Sequence, residues 1–267
     1  MRLAHLLAGT PLAEALNQDA HPEVSQALNQ PAPPSDPLLL RVYSLGSFEI
    51  YVGEQKLPAN SFRTQKTRYL LAYLVGCESL EIPEERVLDL FWEGDLSRGR
   101  QSLNNALYSL RKTLGGDFFA RQRGNLVRSE ACWHDLREFE KACAEGALAR
   151  GVRLYKGTYL DTCYMEWASE RRRASEQMLQ TALTRLLEEA HQQQQHRLVE
   201  EYGQRLISLD PCRQDAHLCL MQSYLAQNQP LLAIRQYESC LKSLADEMDM
   251  QPSLQHFELY QRARLAC

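Results

Sequence analysis

The stretch RGRQSLNNALYSLRKTLGG, residues 98–116, carries leucine at positions 103, 107, 110 and 114. At about 100° of turn per residue those four fall within one narrow arc, so the segment reads as a helix held to a core along that arc. The opposite arc then holds Gln101, Asn105, Tyr108 and Lys112, with Arg98 and Ser109 beside it and Arg100, Asn104 and Arg111 on the flank nearer the leucines. A solvated helix usually interleaves both charge signs, so that Glu and Lys can pair at i,i+4. This face has cations and amides and no carboxylate of its own. Such a face suits a polyanion.

The net charge of −4 hides a segregation along the chain. Between 98 and 128, seven cations (Arg98, Arg100, Arg111, Lys112, Arg121, Arg123 and Arg128) oppose Asp117 alone, a local balance of +6. Between 78 and 95, seven acids (Glu78, Glu81, Glu84, Glu85, Asp89, Glu93 and Asp95) oppose Arg86, a balance of −6. For binding a polyanion, the local patch counts for more than the total. With 267 residues, 44% of them hydrophobic, the chain can fill one large core or two ordinary ones, and global disorder is excluded.

The eight cysteines are scattered through helical sequence without a CxxC pair, which reads as a reduced, cytoplasmic chain. Cys212, His217 and Cys219 lack a fourth ligand at zinc-site spacing, so they read as buried side chains and no metal or other cofactor is expected. No apolar run approaches the ~18 residues of a membrane span, so no membrane partner is expected. The start, MRLAHLLAGTPLAEAL, lacks a secretory core and reads as a short amphipathic helix or an unstructured lead, and PAPPSDP at 31–37 reads as a linker. Histidines are dispersed, and no nucleophile motif, catalytic carboxylate pair or GxxxxGK[ST] loop is present, so an enzyme is not expected.

Around the opening helix the other elements can be placed. Residues 38–57 alternate and are rich in β-branched and aromatic side chains, with turns at Gly46 and Gly53-Glu54, which predicts a small antiparallel sheet. TQKTRYLLAYLVGC predicts a helix capped by Thr64 and closed by Gly76 in a left-handed conformation. IPEERVLDLFW predicts a second helix with Pro83 in its first turn, and Ser97 is the expected cap of the third. DFFARQRGNLVRS then predicts two short strands around the turn Arg123-Gly124-Asn125. Three helices followed by such a hairpin predict an α+β winged helix-turn-helix domain.

From Asp135 onward the pattern is almost entirely helical, beginning with one long amphipathic helix in EWASERRRASEQMLQTALTRLLEEAHQQQQ. Sliding residues 198–209 by 35 places Val199 on Ile234, Tyr202 on Tyr237, Leu206 on Leu241 and Leu209 on Leu244. A period near 34 built from helix pairs is the signature of tetratricopeptide-type stacking. The expected organisation is therefore an N-terminal extension and linker at 1–37, a winged helix-turn-helix domain at 38–133 and an all-α tetratricopeptide-like domain at 134–267.

In their order, LRVYSLGSFEIYVGEQKL, QKTRYLLAYLV, ERVLDLFW and LNNALYSLRKTLG resemble the winged-helix domain of SARP-type bacterial regulators. DLREFEKAC, LYKGTYLDTCYMEWASERR, LISLDPCRQDAHLCLMQSYLAQNQPLLAIRQYESC and LADEMDMQPS resemble the bacterial transcriptional activator domain, BTAD, that follows it there. The resemblance covers roughly 38–264. It implies a cytoplasmic transcriptional activator that binds double-stranded promoter DNA, often as a homodimer on repeated sites, and recruits RNA polymerase. It also implies polymerase contact near Glu93–Ser97, between the second and third helices. The Asn104-Asn105 pair and Tyr108 stand where many members carry aliphatic or small residues, so the target sequence does not transfer.

A helix fits the major groove of B-DNA, where Asn or Gln bonds adenine and Arg or Lys bonds guanine. The expected base-reaching set is Gln101, Asn105, Tyr108 and Lys112, with Arg98 and Arg100 aimed at phosphates or base edges. Arg123 at the hairpin tip suits the adjacent minor groove, and Arg121 and Arg128 suit phosphates. Lys66 and Arg68 open the first helix and read equally as solvated or as further phosphate contacts. SERRRASEQ at 169–177 is expected to pair with Glu166, Glu170 and Glu176 along its own helix. A competing reading is a protein-interaction adaptor whose winged helix has lost DNA.

Overall fold

The computed structural model describes residues 39–92 and 94–267; the expectations for the N-terminal lead and linker lie outside them. The N-terminal half runs β1 (Leu40–Tyr43), β2 (Glu49–Val52), β3 (Gln55–Leu57), α1 (Gln65–Gly76), β4 (Glu81–Pro83), α2 (Glu84–Phe91), α3 (Leu96–Leu114), β5 (Phe119–Gln122), β6 (Asn125–Arg128) and β7 (Cys132–His134). Helices follow: α4 (Asp135–Ala144), α5 (Leu148–Leu154), α6 (Glu166–Gln192), α7 (His196–Leu209), α8 (Gln214–Ala226), α9 (Pro230–Met248) and α10 (Leu254–Leu265). The fold is an α+β winged helix-turn-helix followed by an all-α tetratricopeptide-like stack. Among the described residues no helix is long and apolar enough to cross a membrane.

Strands β1, β2 and β3 form the expected meander, with Leu40 opposite Val52 and Ile50 opposite Leu57. Alternation buries Leu40, Val42 and Ile50 against α1 and turns Arg41, Tyr43 and Tyr51 to the other face. The sequence reading gave no strand at 132–134, yet β7 lies parallel to β1, so the sheet order is β3-β2-β1-β7. Helix α1 is buried from Tyr69 to Gly76, as expected of a helix enclosed on several sides. Thr64 caps it as expected, accepting the Thr67 N–H at 3.2 Å.

Gly76 does not close α1 in a left-handed conformation: Cys77 is the C-cap, with φ −63°, and Gly76 is absent from the positive-φ positions. Its smallness serves packing instead, because a Cβ there would lie 3.0 Å from Cε1 of the buried His134 ring. Pro83 precedes α2 rather than opening it, and is the last residue of the unforeseen strand β4. That strand pairs with β6, giving a three-stranded wing of order β4-β6-β5 with Pro83 on an edge strand, where a missing N–H is tolerated.

The two halves share a core. Trp167, near the start of α6, packs against Tyr73 of α1 and Phe91 of α2, with ring centroids 5.1 and 5.7 Å apart. At the sheet end, the Asp135 carboxylate accepts both the Ser44 N–H and the Leu45 N–H, at 2.8 and 2.9 Å, and the Ser44 hydroxyl at 2.8 Å. The loop after α5 adds to the same corner, the Leu160 N–H donating to the Ser44 carbonyl at 3.0 Å.

The helical repeat is real, but its register differs from the expected one. Sliding by 35 sets the exposed Leu209 on the buried Leu244, whereas a slide of 34 sets buried Val199, Tyr202 and Leu206 on buried Ala233, Gln236 and Cys240. Matching Tyr to Tyr by identity gave 35; matching the inward side of each helix gives 34. The arginines of SERRRASEQ also pair differently. Arg171 reaches Glu140 of α4 at 2.9 Å, and Arg172 donates to the Tyr159, Leu160 and Cys163 carbonyls, so they tie α6 to other elements instead of to its own turns.

Candidate nucleic-acid interface

Helix α3 starts about two turns before the leucine stripe. Asp95, not Ser97, is the N-cap: its Oδ1 accepts the Ser97 N–H at 2.7 Å and the Arg98 N–H at 3.5 Å. A carboxylate meets two free helix donors better than a hydroxyl does and also suits the positive end of the helix dipole. Hydrogen bonds from Ser97, first its hydroxyl and then its N–H, hold the Asp95 carboxyl below the usual range. Gly115, at φ 67°, ends the helix in the left-handed cap that only glycine adopts without cost.

Leu103, Leu110 and Leu114 are buried, joined by Gly99 and Ala106, while Leu107 is half-buried at the edge of the stripe. Gly99 is buried where α3 faces Leu88 and Trp92, and a Cβ there would meet both at an ordinary contact distance of 3.5 Å. The opposite side presents Gln101, Asn105, Tyr108 and Lys112, all exposed, with Tyr108 at 70%. Arg98 and Arg100 are exposed on the N-terminal turns. Among the described residues the side chains of Arg100, Gln101, Asn105, Tyr108 and Lys112 have no hydrogen-bond or ion-pair partner within the chain.

The carboxylates missing from α3 come from its neighbours. Arg111 pairs with Asp117 at 3.0 Å, and Arg98 with its own cap Asp95 at 3.9 Å. Arg121 of the wing pairs with Glu84 at 2.8 Å and donates to the Asn104 amide oxygen at 2.9 Å, which fixes the wing against α3 and the start of α2. Arg121 therefore faces the surface with its charge already answered. Arg128 does not reach the surface: it is 3% exposed and donates to the Cys77 carbonyl at 3.2 Å, so the expected phosphate contact is a buried tie between β6 and the end of α1. Burial also pulls its pKa down.

The wing tip is as expected. Arg123 (φ 50°) and Gly124 (φ 81°) both lie in left-handed conformation between β5 and β6, the geometry of a type I′ turn, and Arg123 projects from it exposed. A notch of about 190 Å³ between α3 and the wing is lined by Asn104, Tyr108, Phe119 and Arg121. Lys66 stays exposed over the Trp92 ring, 5.3 Å from its centroid. Arg68 folds inward, its guanidinium 4.5 Å above the Phe48 ring with a bond to the Phe48 carbonyl, so it is no phosphate contact. Sequence reasoning missed Arg63. The bond from Thr113 Oγ1 to the Ser61 carbonyl brings that segment beside the last turn of α3, leaving Arg63 exposed there, and no periodicity marks a loop residue in this way.

Ser44, His134 and Asp135 sit together without being catalytic in arrangement. The Ser44 hydroxyl is spent on Asp135, His134 Nε2 lies 3.1 Å from that hydroxyl, and all three side chains are closed to solvent. In a nucleophilic triad the carboxylate would orient the histidine. Here it binds the serine and the trio clamps β1 to α4.

The profile of the bacterial transcriptional activator domain matches residues 120–264, more than half of the chain. The chain belongs to the bacterial transcriptional activator domain family. BTAD proteins are transcriptional regulators, and this one shows the SARP-type arrangement of a winged helix ahead of the activator domain. Among solved structures, Mycobacterium tuberculosis EmbR in complex with a low-affinity phosphopeptide is similar in fold, with a TM-score of 0.60 at 21% identity. The likeness covers 85% of this BTAD chain and 65% of that chain, so this chain spans about two thirds of its length. No curated protein matches.

Proposed function

We propose that the chain activates transcription by binding double-stranded promoter DNA through α3 and the wing, and that it contacts RNA polymerase. In this reading residues 38–133 are the DNA-binding part and 134–267 the activator part. The observation that carries it is the outward face of α3: amides, a tyrosine and cations, exposed and unengaged, on a helix fixed to the body by its opposite face. Gln101, Asn105, Tyr108 and Lys112 read base edges, Arg98 and Arg100 lie against the backbone or base edges, and Arg123 enters the minor groove. Arg121 reaches phosphate only by leaving Glu84, so its chief part is to set the wing. Glu85 and Asp89, exposed on α2, offer a basic partner such as polymerase an acidic face beside the DNA. Two chains on repeated half-sites would supply the specificity that one helix lacks.

Selection of bound duplexes from a random pool, followed by gel-shift titration of the best one, tests this. Asn105→Ala with Lys112→Glu should weaken the selected duplex about 100-fold, at roughly 1–3 kcal/mol for a lost base contact, while circular dichroism stays unchanged. Retention of no duplex in dilute buffer would overturn the reading and favour the adaptor. The slope of log K against log salt should be near −3 per chain, with the phosphate-directed charges supplied by Arg63, Arg98 and Arg100, because each neutralised phosphate counts about 0.9.

A further inference from the structure

A large cleft among the described residues lies away from α3. It has a volume of about 1050 Å³ and is bounded by the open face of the N-terminal sheet on one side and by α5 with its following loop on the other. That volume is at the upper end of the roughly 300–1,000 Å³ of small-molecule sites. We propose that this cleft binds a planar aromatic anion, a small molecule of the aromatic carboxylate or sulfonate class.

The sheet side is aromatic. Tyr43, Tyr51 and Trp133 come from three adjacent strands, with the Tyr43 ring centroid 5.0 Å from Trp133 and 5.6 Å from Tyr51. All three are half-buried, with ring surface turned to the cleft and not to the core. Such rings hold a flat apolar ligand by offset or edge-on stacking.

The lining as a whole is positive once its own pairs are discounted. Among the acids of the lining, Glu49 is taken by the Lys56 ammonium at 2.6 Å and the Tyr51 hydroxyl at 2.8 Å. Asp135 is taken by Ser44 and Leu45, and Glu138 by Arg150 at 2.9 Å. Asp161 alone has no partner. Against it stand Arg153 and Lys156, exposed and without a carboxylate partner, and the Arg68 guanidinium, whose bonds go to the neutral Phe48 carbonyl and the Gln65 amide oxygen. Three uncompensated cations thus share the cleft with one free acid.

The wall is also built in place. Arg172 collects the Tyr159, Leu160 and Cys163 carbonyls, and Arg205 donates to those of Val152, at 2.9 Å, and Tyr155. The Gly46 N–H bonds the Thr158 carbonyl at 3.2 Å, and a Cβ on Gly157 would come within 3.0 Å of Gly46, so the loop is seated directly on the sheet. Leu160 is held there at φ 40°, a conformation that an L residue keeps only when its surroundings impose it. A cleft fixed in this way needs little ordering to receive a ligand.

The intact chain is titrated with 2-naphthoate and naphthalene-2-sulfonate, and with the uncharged 2-naphthamide, by Trp fluorescence and calorimetry. Trp133 is in the cleft, Trp167 in the core and Trp92 beneath Lys66 at the end of α2, so saturable quenching that Trp133→Phe abolishes reports the site. At least one anion should bind saturably, about tenfold or more tighter than the amide, and Arg153→Glu with Lys156→Glu should cost about tenfold or more without altering the far-ultraviolet spectrum. Absence of saturable binding by either anion at millimolar concentration overturns the proposal. So does binding that the double variant leaves unchanged, or equal affinity for the amide. These readouts use no DNA, so they fail or succeed independently of the DNA-binding reading.

Discussion

At His134 the imidazole is fully closed to solvent, with Nε2 against the Ser44 hydroxyl and Nδ1 without a partner. Burial first, and then the Arg171, Arg137 and Arg128 charges, hold its pKa well below the ordinary value, and burial lowers His217 and His256 as well. The unfolded chain takes up these protons as pH falls through about 6.5 while the folded chain still excludes them. Stability is therefore full above that pH and drains away below it, by at most about 1.4 kcal/mol per pH unit for each histidine. Asp135 acts in the opposite sense: burial raises its pKa, so the folded chain takes up its proton first and the gain is complete only below the unfolded value of about 3.9. Urea midpoints at pH 7.5 and pH 5.5 should show the loss. His134→Gln should be less stable than the parent at the higher pH but fall less steeply towards the lower; an unchanged slope would remove His134 from the account.

At the scale of an element, the wing tip sets an arginine where its turn favours another residue. A type I′ turn asks for left-handed conformation at both central residues, and asparagine adopts it more readily than arginine. Arg123 nonetheless occupies the first of them. Arg123→Asn should raise the unfolding free energy by up to about 1 kcal/mol and weaken operator binding several-fold; a variant less stable than the parent would show that the arginine is there for the turn. What the sequence disclosed follows the same division. Helices were readable because 3.6-residue periodicity is local, and so was the outward face of α3. Strands β4 and β7 were not, because three residues hold too little of a two-residue period and each is defined by its partner, β6 or β1. The ion partners were hidden for a like reason: Glu84 answers Arg121 across the fold, so the count of seven cations overstated the free charge. The aromatic cleft was invisible in sequence, since its lining comes from four separated segments.

In the whole molecule, one core passes through both halves, and α1 is its centre. Trp167 is the contact from the helical side. Its indole N–H and the Tyr73 hydroxyl are both buried without partners, so apolar packing alone holds that contact. Further ties at the sheet end come from Asp135 and Leu160 on Ser44, so loss of one contact should not free the halves from each other. A protein joined in this way moves its α3 face and its helical stack as one body, and a ligand wedged between sheet and α5 would bear on both. Calorimetry of the intact chain should show one transition, coincident by near- and far-ultraviolet dichroism, with equal van't Hoff and calorimetric enthalpies. Trp167→Ala removes a large buried side chain at about 3–5 kcal/mol, which at this chain length lowers the midpoint by roughly 10 °C. The whole transition should move together. If only one of two transitions shifts, the halves are independent, and coupling between the cleft and α3 loses its physical route.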